Sequence, residues 1–238
     1  MAVAILNPND RYGIVGKTGS GKTQLAIVLA SKYAQQLHRP WEVWWIDTKN
    51  DPTDIKKLRS WGACNGANER DRQRPGGLRN FLYFKINEDS GYSVVDQAQA
   101  KIQEAYERGH IIVVVDEYTQ VVPSDRNPGY GLKNVFARGR GKKVGLIGLT
   151  QEPVFVPRML LSQASHLAFF TVTYEADKKY LRNLCKVYVP PAEQGDKYGF
   201  YWSHIDGGAQ WAYYENQKAW DDTLQYALPR PKEVKEEK

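Results

Sequence analysis

One eight-residue stretch constrains this chain more than any other, because it matches the phosphate-loop pattern G-x-x-x-x-G-K-S/T without interruption. The short apolar run Tyr12 to Val15 precedes it, and residues 22–37 follow with apolar side chains at helical spacing. We therefore expect a strand, a glycine-rich turn and a helix. The stretch consists of Gly16, Lys17, Thr18, Gly19, Ser20, Gly21, Lys22 and Thr23.

The chemistry of this turn suits a nucleoside triphosphate. Its glycines allow a tight backbone whose N–H groups point inward, and the start of the helix adds partial positive charge. Lys22 is the expected contact to the β- and γ-phosphates, and the Thr23 hydroxyl is an expected ligand of Mg²⁺. All eight residues of the turn form the predicted nucleotide-binding set.

A second motif follows from a run of five β-branched residues, Ile111 to Val115, which ends in Asp116 and Glu117. The run predicts a buried central strand of a parallel sheet, that is, a Walker B strand. Asp116 is expected to hold Mg²⁺ through its water shell, and Glu117 to polarise a water for attack on the γ-phosphate. The adjacent pair is typical of additional-strand ATPases and is generally missing from GTPases.

Two further strands are predicted to end near the phosphate loop. The strand Val144 to Leu149 is followed by Thr150 and Gln151, and the Gln151 amide can both donate and accept, so it could orient a water or detect phosphate loss. The strand that ends at Asp47 precedes Lys49. Asp47 and Lys49 could reach the nucleotide or a neighbouring subunit. Alternatively, they could belong to a solvated turn in which Asp47 is the capping residue.

The predicted fold class is α/β, a three-layer P-loop NTPase fold of the additional-strand (RecA-like) type. We expect a mostly parallel central sheet with helices on both faces and an antiparallel C-terminal hairpin, residues 198–203 with 210–214. Residues 1–228 should form one domain and 229–238 a charged mobile tail. A brief helix from 132 to 138 is expected before a basic turn, and residues 62–77 resemble a disordered segment.

Composition narrows the function only slightly. With 238 residues and 42% hydrophobic content, the chain can bury one substantial core. Its net charge of +6 permits a nucleic-acid partner without establishing one, and Arg70, Arg72 and Arg74 either contact phosphates or form a solvated face. The two cysteines, Cys64 and Cys185, lack zinc-site spacing, and we expect no transmembrane segment.

Taken in order, the motifs resemble those of the HerA/FtsK superfamily of DNA-pumping ATPases. The set comprises residues 16–23, Asp47-x-Lys49, Asp116-Glu117, Gly139-Arg140 and Thr150-Gln151. The block GRGKKVGLIGLTQEP is close to the family pattern, although Pro153 stands where many members have Arg-Pro directly after the Gln. Arg140 falls at the position of the family's trans-acting arginine finger, and Arg138 is the reserve candidate.

A bare core of this length is similar to the genome-packaging ATPases of internal-membrane icosahedral double-stranded DNA viruses. The resemblance implies an ATP- and Mg²⁺-dependent motor that moves double-stranded DNA into a preformed capsid. Expected partners are DNA, further copies in a ring of six or five, and capsid vertex or portal proteins. The motor would act in the host cytoplasm during assembly or at the packaging vertex of the virion. A Zot-like export ATPase and a small-molecule P-loop kinase remain the alternatives.

Overall fold

The computed structural model describes residues 7–86, 91–185, 200–204 and 210–212. The strands in these ranges are β1 (Arg11–Val15), β2 (Glu42–Asp47), β3 (Cys64–Asn65), β4 (Phe81–Lys85), β5 (Ile111–Val115), β6 (Val144–Thr150), β7 (His166–Phe169), β8 (Phe200–His204) and β9 (Gln210–Ala212). The α-helices are α1 (Lys22–Gln36), α2 (Pro52–Ser60), α3 (Glu69–Arg72), α4 (Val94–Arg108), α5 (Tyr130–Lys142), α6 (Arg158–Ser162) and α7 (Glu175–Cys185).

The strands of the described part form one sheet in the order β3-β4-β2-β5-β6-β1-β7-β8-β9. The seven strands from β3 to β7 in this order run parallel. Strand β6 lies between the phosphate-loop strand β1 and the Walker B strand β5, which confirms the additional-strand arrangement. Strand β8 is antiparallel to β7 and to β9. Residues 205–209, where the hairpin turn is predicted, and the predicted tail at 229–238 lie outside the described residues, so the complete hairpin and the tail stay predictions.

The sheet separates two apolar layers. Trp44 and Trp45 are adjacent on β2 and point to opposite faces, as the two-residue period of a strand requires. Trp45 packs with α1 and α2 on one face, and Trp44 packs with α4 and α5 on the other. All five residues of β5 are buried, as expected for a central strand covered on both sides. No helix in the described ranges is long and apolar enough to cross a membrane.

Helix α5 is longer than the sequence indicates. It runs from Tyr130 to Lys142, so the helix predicted over 132–138 is confirmed but its bounds were too short, and Arg140 lies in a helix rather than in the predicted basic turn. Gly139 and Gly141 disfavour a helix by intrinsic propensity. Packing outweighs this, because Gly139 is buried and a side chain there would press on the Val144 carbonyl.

The segment 62–77, predicted to resemble disorder, is also ordered. It contains β3 and α3, and the Asp71 carboxylate receives two hydrogen bonds from the Arg59 guanidinium at 2.9 and 3.0 Å. Arg74 donates to the Ala63 carbonyl at 2.7 Å, and Arg72 donates to the Gly66 carbonyl at 2.9 Å. These two arginines therefore help to hold the segment together.

Two glycines allow the effect of side-chain packing on stability to be measured apart from the effect of helix propensity. A Cβ at Gly148 would overlap the buried ring of Tyr118, whereas a Cβ at Gly141 would meet nothing within 4 Å. We expect Gly148→Ala to lower the free energy of unfolding by about 1–3 kcal/mol through overpacking. Gly141→Ala should raise it by about 0.5–1 kcal/mol through helix propensity. Urea denaturation measures both, and a Gly148→Ala variant as stable as wild type would contradict this packing.

Candidate nucleotide-binding site

The phosphate loop connects β1 to α1 in the predicted place. Gly19 and Gly21 have φ angles of +73° and +108°, a backbone region that residues with a side chain rarely adopt. Helix α1 begins at Lys22, and the N–H groups of its first turn have no carbonyl partner within the helix. The loop therefore presents backbone donors at a helix N-terminus, which is an arrangement suited to phosphate.

Neighbouring strands fix the start of the loop. The Gly16 N–H donates to the Thr150 carbonyl at the end of β6, at 3.2 Å, and the Lys17 N–H donates to the Thr171 carbonyl beyond β7, at 2.9 Å. A Cβ at Gly16 would lie only 2.5 Å from that of Phe170, so the backbone approaches this segment closely. The loop is thus held by both strands that flank β1.

Lys22 lies within this loop. Its Nζ donates to the Lys17 carbonyl at 2.9 Å, and its side chain is buried. Burial lowers the pKa of Lys22 to about 8, with the Glu117 carboxylate opposing the effect and the Lys49 ammonium adding to it. A triphosphate supplies the negative charge that favours the ammonium form.

The expected metal ligands lie side by side. The Thr23 hydroxyl donates to Asp116 Oδ1 at 3.2 Å, and Lys49 Nζ forms an ion pair with Asp116 Oδ2 at 2.8 Å. Burial is the largest single influence and would lower the pKa of Lys49, but the charge and hydrogen bond of Asp116, together with the charges of Glu117 and Asp54, raise that pKa overall. A hydroxyl and a carboxylate are hard oxygen donors of the kind Mg²⁺ takes. Within the described ranges, no group of three His, Cys, Asp or Glu residues could hold a metal by itself.

Glu117 extends from the end of β5 into the same site. It is 4% exposed, and its Oε1 accepts a hydrogen bond from the Thr119 hydroxyl at 3.2 Å. Its Oε2 is buried with no hydrogen-bond donor placed on it by the described residues. Burial raises the pKa of Glu117 against the opposing effects of the Thr150 hydroxyl and the Lys49 and Lys22 charges. A carboxylate with a raised pKa is a better proton acceptor than an exposed one.

Gln151 lies beside the loop, at the point predicted from its place after β6. Its Oε1 accepts a hydrogen bond from the Thr18 hydroxyl. Ser20 Oγ, on the same loop, is buried and has no partner within the described ranges. The structure therefore brings Gln151 to the phosphate loop, while its role stays a prediction.

Asp47 acts locally and Lys49 reaches the site. Asp47 Oδ1 accepts hydrogen bonds from the backbone N–H groups of Lys49, at 3.2 Å, and Asn50, at 3.0 Å. This is the capping turn that the sequence left as one alternative for Asp47. Burial raises the pKa of Asp47. The turn directs the chain so that Lys49 pairs with Asp116. This supports the alternative in which Lys49 reaches the nucleotide site.

Arg140 is remote from these groups. Arg138 and Arg140 are both exposed near the C-terminal end of α5, and Arg140 lies in its last turn, next to the start of β6. Strand β6 carries Thr150 at its far end, so about 20 Å separates the two ends at roughly 3.3 Å per residue. Arg140 therefore cannot contact a phosphate bound by its own loop.

Arg11 was missed by sequence reasoning. It opens β1, and its Nη2 donates to the Phe136 carbonyl of α5 at 2.9 Å. Its guanidinium also lies 4.9 Å from the centre of the Phe136 ring. Burial and then the charge of nearby Arg140 lower the pKa of Arg11. Arg11 belongs to no local sequence motif. The one sequence feature that could have indicated it is a single cation at the start of a buried strand.

Comparisons with known proteins agree with the geometry. The DNA packaging ATPase P9 of Enterobacteria phage PRD1 is 28% identical over 189 residues, which cover 78% of this chain and 75% of P9. The genome packaging NTPase B204 from Sulfolobus turreted icosahedral virus 2, in complex with ATP-gammaS, matches with a TM-score of 0.61 at 15% identity. That match covers 87% of this chain and 98% of B204. The predicted resemblance to viral packaging ATPases is confirmed.

The same fold extends to a secretion protein. The cytoplasmic domain of the Thermomonospora curvata type VII secretion ATPase EccC matches 92% of this chain with a TM-score of 0.56 at 12% identity. Only 28% of the EccC chain takes part in that match. No family model matches the sequence. The fold is therefore shared more widely than the packaging role.

The ion pair between Lys49 and Asp116 can be tested by a double-mutant cycle. Lys49→Met leaves the Asp116 carboxylate buried without its cation, so the free energy of unfolding should fall by about 1–2 kcal/mol, less than for a fully buried pair. In an Asp116→Asn background, Lys49→Met should leave the free energy of unfolding almost unchanged, because residue 116 no longer carries a negative charge. Urea denaturation gives the four values. Equal losses in both backgrounds would contradict the pairing.

Proposed function

We propose that this chain is an ATP-hydrolysing motor that moves double-stranded viral DNA into a preformed capsid. The observation that carries the proposal is the convergence of Lys22, Glu117 and Gln151 on one phosphate loop. The second support is the likeness of sequence to the PRD1 packaging ATPase and of fold to B204. The basic net charge of +6 suits a polyanionic cargo.

The residues divide the hydrolytic work between them. The loop N–H groups and Lys22 hold the phosphates, and Glu117 Oε2 accepts a proton from the attacking water. As the water oxygen bonds to the γ-phosphorus, the bond between that phosphorus and the β–γ bridging oxygen breaks, and ADP leaves with the electron pair. Gln151 orients the water through its amide. Thr23 and Asp116 would hold Mg²⁺, which neutralises phosphate charge when bound.

The site is completed by another copy of the chain. Arg140 lies at the edge of the sheet opposite its own loop, so it serves a neighbour arranged head to tail. It also lies near the cationic Arg11, and two neighbouring guanidiniums favour an anion such as a phosphate between subunits. At the phosphate edge, Phe155 and Tyr174 are 60% and 73% exposed and offer apolar surface to that neighbour.

Assembly and location follow from this role. A ring of six or five copies would encircle the duplex and dock on the capsid vertex or portal proteins. The motor would act in the host cell while the capsid is being filled. Residues 1–228 serve as the one ATPase domain of each subunit, and the charged tail at 229–238 is a docking segment.

Two substitutions separate binding from hydrolysis. Glu117→Gln removes the proton acceptor, so we expect kcat to fall at least about 100-fold while ATP still binds. Lys22→Ala should lose both binding and turnover. Phosphate release and fluorescent-nucleotide titration measure the two effects, with Glu107→Gln on α4 as an exposed control. Normal turnover in Glu117→Gln would contradict the proposed mechanism.

A mixing experiment tests the arginine in trans. Arg140→Ala subunits have intact loops and lack the finger, whereas Lys22→Ala subunits have the finger and lack a working loop. Mixed rings should therefore regain part of the ATPase activity that each variant loses alone, and Arg138→Ala should keep near-normal activity unmixed. No recovery at any ratio, or a loss confined to Arg138→Ala, would contradict the assignment of Arg140.

A further inference from the structure

A groove of about 710 Å³ lies at the edge of the sheet opposite the phosphate loop. Its walls come from the end of α1, the start of β2, helix α3, the residues before β4 and the end of α4. Nothing in the nucleotide site uses these residues. The lining consists of Ala34, Leu37, His38, Arg39, Pro40, Trp41, Glu42, Glu69, Arg72, Gln73, Arg79, Asn80 and Arg108.

The charges that line this groove do not balance. Glu42 is committed, because its Oε1 pairs with Arg108 at 2.6 Å and its Oε2 accepts from the Trp44 indole at 2.7 Å. Apart from the Glu42–Arg108 pair, the lining contains three arginines and one carboxylate. These are Arg39, Arg72, Arg79 and Glu69. The groove therefore carries a surplus of positive charge and favours an anionic occupant.

Two details of the lining strengthen its preference for an anion. Arg72 is fixed through Nη2 on the Gly66 carbonyl, and its Nε is buried with no acceptor among the described residues. Asn80 donates to the carbonyls of Ala34 and Leu37, at 2.8 and 3.0 Å, where α1 ends. These two bonds satisfy carbonyls that would otherwise turn negative partial charge toward the groove.

We propose that this groove holds backbone phosphates of the duplex DNA that the motor moves. One guanidinium can donate two parallel hydrogen bonds to the oxygens of a phosphate. Arginine and lysine are prominent among the side chains that contact the DNA backbone. Four of the thirteen lining residues are arginines and two are carboxylates, so the lining has the excess of guanidinium groups that suits a phosphate backbone. The proposal rests on the proposed function and adds the surface that contacts the cargo.

The groove and the nucleotide site lie at opposite edges of the sheet. ATP and DNA can therefore occupy one subunit together, as a motor requires. Strand β2 connects the two places directly, because Glu42 opens it at the groove and Asp47 closes it at the turn that places Lys49 on Asp116. A shift of β2 would therefore move Glu42 in the groove and the turn that holds Lys49 on Asp116.

The test compares two pairs of charge removals in the full chain. Arg39→Gln with Arg79→Gln removes two exposed cations of the groove, and Lys56→Gln with Lys179→Gln removes two exposed cations from α2 and α7. Fluorescence anisotropy with a labelled DNA duplex gives the affinity at several salt concentrations. The slope of log affinity against log salt should become shallower by about 1 for each groove arginine lost, and much less for the control pair.

Hydrolysis without DNA distinguishes the possible failures. The groove variant should hydrolyse ATP at the wild-type basal rate, because Arg39 and Arg79 lie at the edge of the sheet opposite the phosphate loop. If the groove pair and the control pair show the same salt slope while wild type binds DNA, the groove inference is overturned and the groove is left to a protein partner. If wild type hydrolyses ATP but binds no duplex, the inference and the DNA part of the proposed function fail together.

Discussion

The parallel direction of seven neighbouring strands is the constraint on which the rest of this molecule depends. Parallel strands bring their carboxyl ends to one edge, so residues far apart in the chain meet there. Strand β6 lies between β1 and β5, so Gln151 follows the strand next to the phosphate-loop strand and Glu117 follows the strand beyond it. Connections between parallel strands return to the opposite edge, which is where Arg140 and the basic groove lie.

The two edges have different electrostatic characters. At the phosphate edge, opposite charges are buried close together, and burial lowers the pKa of Lys22 and raises that of Glu117. Such a site responds strongly to a bound polyanion, because each charge is poorly screened by water. At the opposite edge the arginines are mostly exposed and outnumber the acidic groups. A moving, hydrated polymer suits this second edge better than a tightly held nucleotide does.

Local patterns predicted the loop, the Walker B strand and the position of Gln151, because each depends on a few consecutive residues. The features that sequence missed depend on distant contacts. Arg11 binds a carbonyl 125 positions away, and the Arg59–Asp71 pair orders a segment whose composition resembles disorder. Helix α5 continues through Gly139 because packing outweighs propensity. Such contacts require the fold to be known first.

The central claim is that ATP hydrolysis at the phosphate edge moves double-stranded DNA. Displacement of a third strand from a DNA triplex measures this movement directly, because a protein travelling along the duplex must strip the third strand off. If the motor travels along the duplex, release of the third strand requires ATP hydrolysis and rises with the length of duplex available for loading. Hydrolysis at full rate on the same duplex with no release of the third strand would contradict it.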